Sequence, residues 1–395
     1  MNTSATASAS SPVVVTARTL RSQSLAKGAI GDILLHVERA RSGSGTWQAV
    51  HAALTAATRH PLIASINASL FFGTPAVAFV LHTAAAGTRR YASALHTLDA
   101  QVRTLTRRRL DQAHARIDRG ERPQTAEFDL FYGITGLGAY LLLRDPTSAS
   151  LHDVLSYLVR LTVPLTGDDA QLPGWWTAHD PTGGTAKAFP GGHGNLGMAH
   201  GIAGPLALLA LAARHGSTVD GHTEAMTRIC AWLDTQRQDT DTGPWWPPWI
   251  TLAEQRAHTV TQPGPLRPSW CYGTPGLARA QQLAGLALAD TARQRMAEDS
   301  LLHCLADPSQ LTQIRDPSLC HGAAGLLHIT HRVARDASDG AFTAHIPRLR
   351  ALLLAQESAQ QEGLLEGTTG SALALYCDEA SGIPAASWDA CLLAG

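Results

Sequence analysis

The chain has 395 residues, 45% of them apolar and 16% charged, with a formal net charge of −1. That is ample apolar sequence for a large core, and so even a charge balance leaves no global field to draw nucleic acid or an anionic membrane. Six cysteines spread over this length exclude a disulfide framework and fit a reducing, cytoplasmic setting in which thiols stay free.

At the N-terminus, Met1 to about Leu20 is rich in Ser, Thr and Ala, and its apolar run Pro12-Val13-Val14-Val15 is too short for a signal peptide. Residues 1–20 are expected to be disordered and residues 21–395 to form one domain. No apolar run of membrane-spanning length follows, so direct membrane insertion is not expected.

Further along, a small-residue step followed by an apolar helix recurs six times. The steps are Phe72-Gly73-Thr74-Pro75-Ala76, Tyr132-Gly133-Ile134-Thr135-Gly136, His200-Gly201-Ile202-Ala203-Gly204, Tyr272-Gly273-Thr274-Pro275-Gly276, His321-Gly322-Ala323-Ala324-Gly325 and Glu366-Gly367-Thr368-Thr369-Gly370. Each interval holds one more amphipathic stretch. Leu95, Leu98, Val102 and Leu105 step by three and four, with Arg103, Arg107 and Arg108 on other faces, as in an outward-lying helix. The cluster Arg107-Arg108-Arg109 reads as a solvated face of that helix. By contrast, residues 204–213 are apolar all round, as in a buried helix.

Alternating inner and outer helices, six of each, predict an all-α fold closed into an α/α toroid. Small residues at each step permit close helix approach. The N-terminal ends of the inner helices, with free N–H groups and positive dipole ends, then gather at one mouth. The residue before each first glycine faces that mouth.

Two stretches break the helical period. Residues 167–195 are rich in Gly and Pro and contain Trp175-Trp176; residues 242–248 contain Trp245-Trp246, followed by Trp249. The first is expected to form a small irregular or β-containing insert. The tryptophans would form either an aromatic surface for a peptide or a cap over the barrel rim.

Cys271 and Cys320 occupy equivalent places in two steps, each directly before the mouth-facing residue, and His321 follows Cys320. Two thiolates and an imidazole make a zinc site with one vacant corner, suited to activating an incoming thiol. A closed structural site, with His200 or Cys304 as fourth ligand, is the competing reading. His200 falls on the mouth-facing register as a general acid/base, and Asp129 is placed to orient it. Arg267 and Tyr272 are candidates to stabilise an enolate oxygen, or else structural hydrogen-bonding groups near the metal. His193, His328 and His331 read as packed or exposed; Cys230, Cys304, Cys377 and Cys391 fall in helical stretches without assigned chemistry.

The motifs Asn195-x-Gly197-x-Ala199-His200-Gly201-x-x-Gly204, Trp270-Cys271-Tyr272-Gly273-x-Pro275-Gly276 and Cys320-His321-Gly322-x-x-Gly325, with a looser Glu366-Gly367-x-x-Gly370, resemble the lanthionine synthetase C-like cyclase family over about residues 45 to 380. Asp129 matches that family's catalytic aspartate position. The resemblance implies a toroid with zinc on Cys271, Cys320 and His321. It also implies addition of peptide cysteine thiols to dehydroalanine or dehydrobutyrine, forming thioether rings. Members of this length act beside a separate dehydratase, with an export transporter as a further expected partner; nothing upstream of residue 45 leaves room for a fused dehydratase. Other readings are a relative that adds glutathione or another small thiol, a non-catalytic zinc-stabilised adaptor for peptides, and, more weakly, a toroidal glycosidase or prenyltransferase.

Overall fold

A computed structural model describes residues 21–165, 172–357 and 361–395. The disorder expected of residues 1–20 falls outside them.

The fold is the expected α/α toroid. Inner helices Thr74–Ala85, Ile134–Arg144, Ala203–Arg214, Thr274–Leu288, Ala323–Asp336 and Thr368–Ala380 follow the six steps and pack each against the next. A further helix, Ala29–Arg41, closes the ring between Thr368–Ala380 and Thr74–Ala85, giving seven inner helices among the described residues. It too is entered through a glycine step, Lys27-Gly28-Ala29-Ile30-Gly31. Where a step has a second glycine, it carries one constraint: a Cβ on Gly31 would lie 2.1 Å from the carbonyl oxygen six residues earlier, as it would on Gly325 (2.1 Å) and Gly276 (2.0 Å). A side chain there would push the inner helix away from its own lead-in strand of chain.

Helices Trp47–Ala57, Ala92–Asp118, Ala149–Leu161, His222–Gln236, Thr291–Ala306 and Ile346–Leu354 pack outside this ring. The periodicity read for residues 95–105 holds: Leu95, Leu98, Val102 and Leu105 are buried, and Arg103, Arg107 and Arg108 are exposed. Inner helix Ala203–Arg214 is buried continuously from Ala203 to Ala212. Among the described residues no helix is long and apolar enough to cross a membrane.

At the mouth, the residues just before the steps are joined by backbone hydrogen bonds from one repeat to the next. Cys271 N–H donates to Cys320 O (3.3 Å), Cys320 N–H to Leu365 O (2.9 Å), Leu365 N–H to Ala26 O (3.0 Å) and Leu25 N–H to Phe71 O (2.9 Å). Leu130 N–H donates to Ala199 O (3.2 Å) and Met198 N–H to Cys271 O (2.9 Å). Between the remaining neighbours the rings of Phe71 and Phe131 stack, 4.5 Å apart and nearly parallel. The mouth is therefore a closed circuit whose register fixes the height of every step residue.

The insert is β-containing in its described part. Strand His193–Asn195 pairs antiparallel with Trp249–Thr251, and Thr177 bridges to His193. A second pair joins Gln238–Thr240 and Gly243–Trp245. Trp175, Trp176, Trp245 and Trp246 are buried, so these four serve as a cap. Trp249 alone stays partly exposed and meets Tyr272 edge-on at 6.2 Å.

The interior of the ring is filled by the C-terminal segment. Asp389, in the 3-10 turn Trp388–Leu392, accepts from Arg332 through both oxygens and pairs with His328 at 2.8 Å. Arg279 donates to Ala394 O at 2.7 Å, and Glu38 accepts the backbone N–H groups of Ala385 and Ala386. The tail thus touches inner helices on several sides. It reaches the mouth from below, where the Trp270 indole N–H donates to Leu392 O at 3.0 Å.

Candidate metal centre and active site

Three step-register residues from neighbouring repeats meet at one side of the mouth. The ligand atoms of Cys271, Cys320 and His321 all lie within 4.8 Å of one another. Local turns set their positions: the Tyr272 N–H donates to Ser269 Oγ at 3.3 Å and the His321 N–H to Ser318 Oγ at 3.2 Å. These serine caps stand three residues before the step residue, where Asp129 stands in its own repeat. Cys271 is held well below the ordinary thiol range, first by its hydrogen bond from Cys320, and Cys320, giving that bond, is pushed well above it. His321 is raised, chiefly by its hydrogen bond to Cys271.

Two soft sulfurs and an imidazole on a partly exposed rim fit zinc, and a three-residue set suits an ion that keeps a position for a visitor. Neither His200 nor Cys304 joins the cluster among the described residues. Cys304 is fully buried, and burial pushes its thiol far up, as expected of a packed cysteine.

Beside the cluster stands His200. Its Nδ1 lies 2.7 Å from Oδ2 of Asp129, a carboxylate almost wholly buried. Asp129 Oδ1 accepts the N–H groups of Tyr132 (2.6 Å) and Gly133 (2.7 Å), at the N-terminus of inner helix Ile134–Arg144. The imidazole is gripped by aromatic faces: Tyr132 stacks on it at 5.6 Å, and Tyr272 lies at 6.2 Å. Tyr272 receives a hydrogen bond from Asn195 Nδ2 at 3.3 Å, and burial raises its pKa strongly, so the phenol keeps its proton.

Arg267 is tied at Nη1 to Asp316 Oδ2, 3.3 Å away, and the same oxygen lies 3.7 Å from His321 Nε2. Asp316 therefore stands between the guanidinium and the imidazole of a candidate metal ligand, close enough to His321 for charge attraction.

The expected site residues Asp129, His200, Tyr272, Arg267, Cys271, Cys320 and His321 thus all lie at the rim. His193, His328 and His331 do not: His193 is buried with Nδ1 on His179 O, and the other two pair with Asp389 and Asp378. The sequence reading missed Asp316, which no motif marks, and Tyr132 as a wall of the His200 slot. Asn195 was within a motif, but its role in holding Tyr272 was not visible there. Arg109 also departs from expectation. It is not a solvated cation: its guanidinium reaches back to the carbonyls of Ile66 and Tyr132.

The chain has known relatives. Nisin biosynthesis protein NisC of Lactococcus lactis subsp. lactis is 22% identical over 317 residues, covering 78% of this chain and 73% of that protein. The solved structure of nisin cyclase has the same fold, with a TM-score of 0.80 at 22% identity over 95% of this chain and 94% of that one. The lanthionine synthetase C-like protein family profile matches residues 19–393. With nearly the whole chain matched, and the fold shared, this protein belongs to the lanthionine synthetase C-like family.

Proposed function

We propose that this chain is a zinc-dependent lanthipeptide cyclase, acting as one domain over residues 21–395 in the cytoplasm. Its substrate is a dehydrated precursor peptide made by a separate dehydratase, and its product would pass to an export transporter. The observation that carries the reading is the Cys271–Cys320–His321 cluster set at the same rim as the Asp129–His200 pair.

Zinc held by those three residues would lower the pKa of an incoming cysteine thiol and keep its sulfur nucleophilic. His200 Nε2, left open because Nδ1 faces Asp129, takes up the thiol proton, and the Asp129 carboxylate stabilises the imidazolium. The sulfur bonds to the β-carbon of the dehydroamino acid, the carbon–carbon double bond gives its electron pair to the adjacent amide, and an enolate forms. Tyr272 donates its O–H to the enolate oxygen, and Arg267 contributes positive charge nearby. His200 then returns the proton to the α-carbon, completing the thioether. Since both reacting groups sit on one peptide, holding them in register contributes as much as activation does.

Incubating the zinc-loaded protein with a dehydrated, cysteine-containing peptide tests this reading: free thiol should disappear as rings form, and Cys320→Ala should stop it. Turnover only with added glutathione would favour the small-thiol reading. Equal behaviour of wild type and Cys320→Ala would leave the adaptor.

A further inference from the structure

Two depressions meet beside His200. One, of about 470 Å³, has Ile66, Asn67, Gln112 and Gln124 in its lining. The second, of about 270 Å³, holds Asp129 and His200. Gln124, Ala126 and Tyr132 line both, so they form one groove leading away from the reacting end. The larger lobe alone falls in the range of about 300–1,000 Å³ usual for ligand sites.

The groove has fixed walls. Arg109 clamps them together, donating from Nε (2.9 Å) and Nη2 (2.6 Å) to Ile66 O and from Nη1 to Tyr132 O. Its charge is thereby spent on backbone carbonyls. The one carboxylate lining the larger lobe, Glu127, is likewise held by Arg116 and Tyr157. No free charge remains to select a phosphate or an ionic ligand. What the walls do offer is three exposed side-chain amides, Asn67, Gln112 and Gln124, none hydrogen-bonded to another described residue. An amide side chain presents one donor and one acceptor together, the same pair that each residue of an extended peptide presents from its backbone.

We propose that this groove holds an extended stretch of substrate peptide flanking the reacting cysteine, bound through its backbone by the amides of Asn67, Gln112 and Gln124. The proposal rests on the cyclase reading for the identity of the peptide, and binding of this kind would depend little on side chains, because backbone amides are common to all sequences. Ala126, exposed and at the junction of the two lobes, is the place where the path can be blocked.

The test is fluorescence anisotropy with a labelled, dehydrated peptide whose cysteine is alkylated so that no ring can form. Wild type should bind it saturably, and Ala126→Trp and the double variant Gln112→Ala/Gln124→Ala should each weaken binding about tenfold or more. Zinc content should be the same in all three proteins, which separates groove loss from damage to the metal centre. Unchanged affinity in both variants, or no saturable binding by wild type, overturns the groove. Thiol loss from an unblocked peptide is measured separately: a wild type that binds peptide but forms no rings defeats the cyclase reading and not the groove.

Discussion

Asp129 and His200 come from two neighbouring steps of the ring and meet through a 2.7 Å contact between Oδ2 and Nδ1, while Asp129 Oδ1 accepts two backbone N–H groups of its own step. The carboxylate therefore caps a helix and fixes an imidazole at once. Asp129→Asn keeps an oxygen for the cap but loses the charge that sets the tautomer. Ring formation should fall by about 10²–10⁴-fold with zinc retained, read from initial rates and metal content.

On the proposed mechanism, His200→Ala removes the proton carrier without touching any of the three candidate metal ligands. Zinc binding should persist, thioether formation should slow by about 10²-fold or more, and fidelity of ring pattern should drop, since dehydroamino acids still add thiols unaided. Mass spectrometry of the products after thiol alkylation measures this. Loss of zinc in this variant would instead make His200 a fourth ligand.

Cys271→Ala and Cys320→Ala should each lose zinc and activity together. Chelating zinc from the wild type should lower its melting temperature, because an ion bound only to the folded state stabilises it by mass action. The two alanine variants should show no such response to chelator.

The tail inside the ring should be indispensable to folding. Asp389→Ala leaves Arg332 buried without its counter-charge, a loss of about 3–5 kcal/mol in urea unfolding. Burial by itself pushes the Asp389 carboxyl up, and the Arg332 charge and the His328 hydrogen bond outweigh it, holding the carboxyl far below the usual range.

Acidification should weaken the fold well before carboxylates titrate. Burial lowers the pKa of His82, His114, His193, His222 and His328, so the unfolded chain takes up protons that the folded chain refuses. Stability contributed by these five is present above their unfolded value and declines as pH falls through about 6.5 towards 5. Among the described residues only His321 and Glu38, shifted upward, oppose the trend in that window. Urea midpoints of zinc-free protein across that range should decrease with falling pH; a flat or rising profile would contradict the balance.

Much of this was legible in the sequence because the toroid is built on a repeat whose constraint is local. A glycine facing a carbonyl six residues back recurs at six of the seven inner helices, Ala76 standing there in the other, and Gly276 and Gly325 announce it beside the candidate metal ligands. The same constraint at Gly31 went unread because its helix is amphipathic and its step residue is Lys27, paired with Glu366 at 2.9 Å and not aromatic or metal-ligating. The C-terminal plug was invisible for a different reason: Trp388–Leu392 has no period, and its burial depends on the ring that surrounds it. The tryptophan pairs could not be assigned to cap or surface, since burial of an aromatic side chain depends on what tertiary structure lays over it. Asp316 acts through two partners far apart in sequence from one another, and spacing does not reveal such a bridge.

X-ray absorption at the zinc edge tests the central claim most directly. Metal-loaded protein should show one zinc with two sulfur ligands and one nitrogen from the chain, and adding a cysteine peptide that lacks a dehydroamino acid should raise the sulfur count to three. A protein that binds no zinc, or one whose zinc already has four ligands from the chain and ignores the peptide, would contradict it.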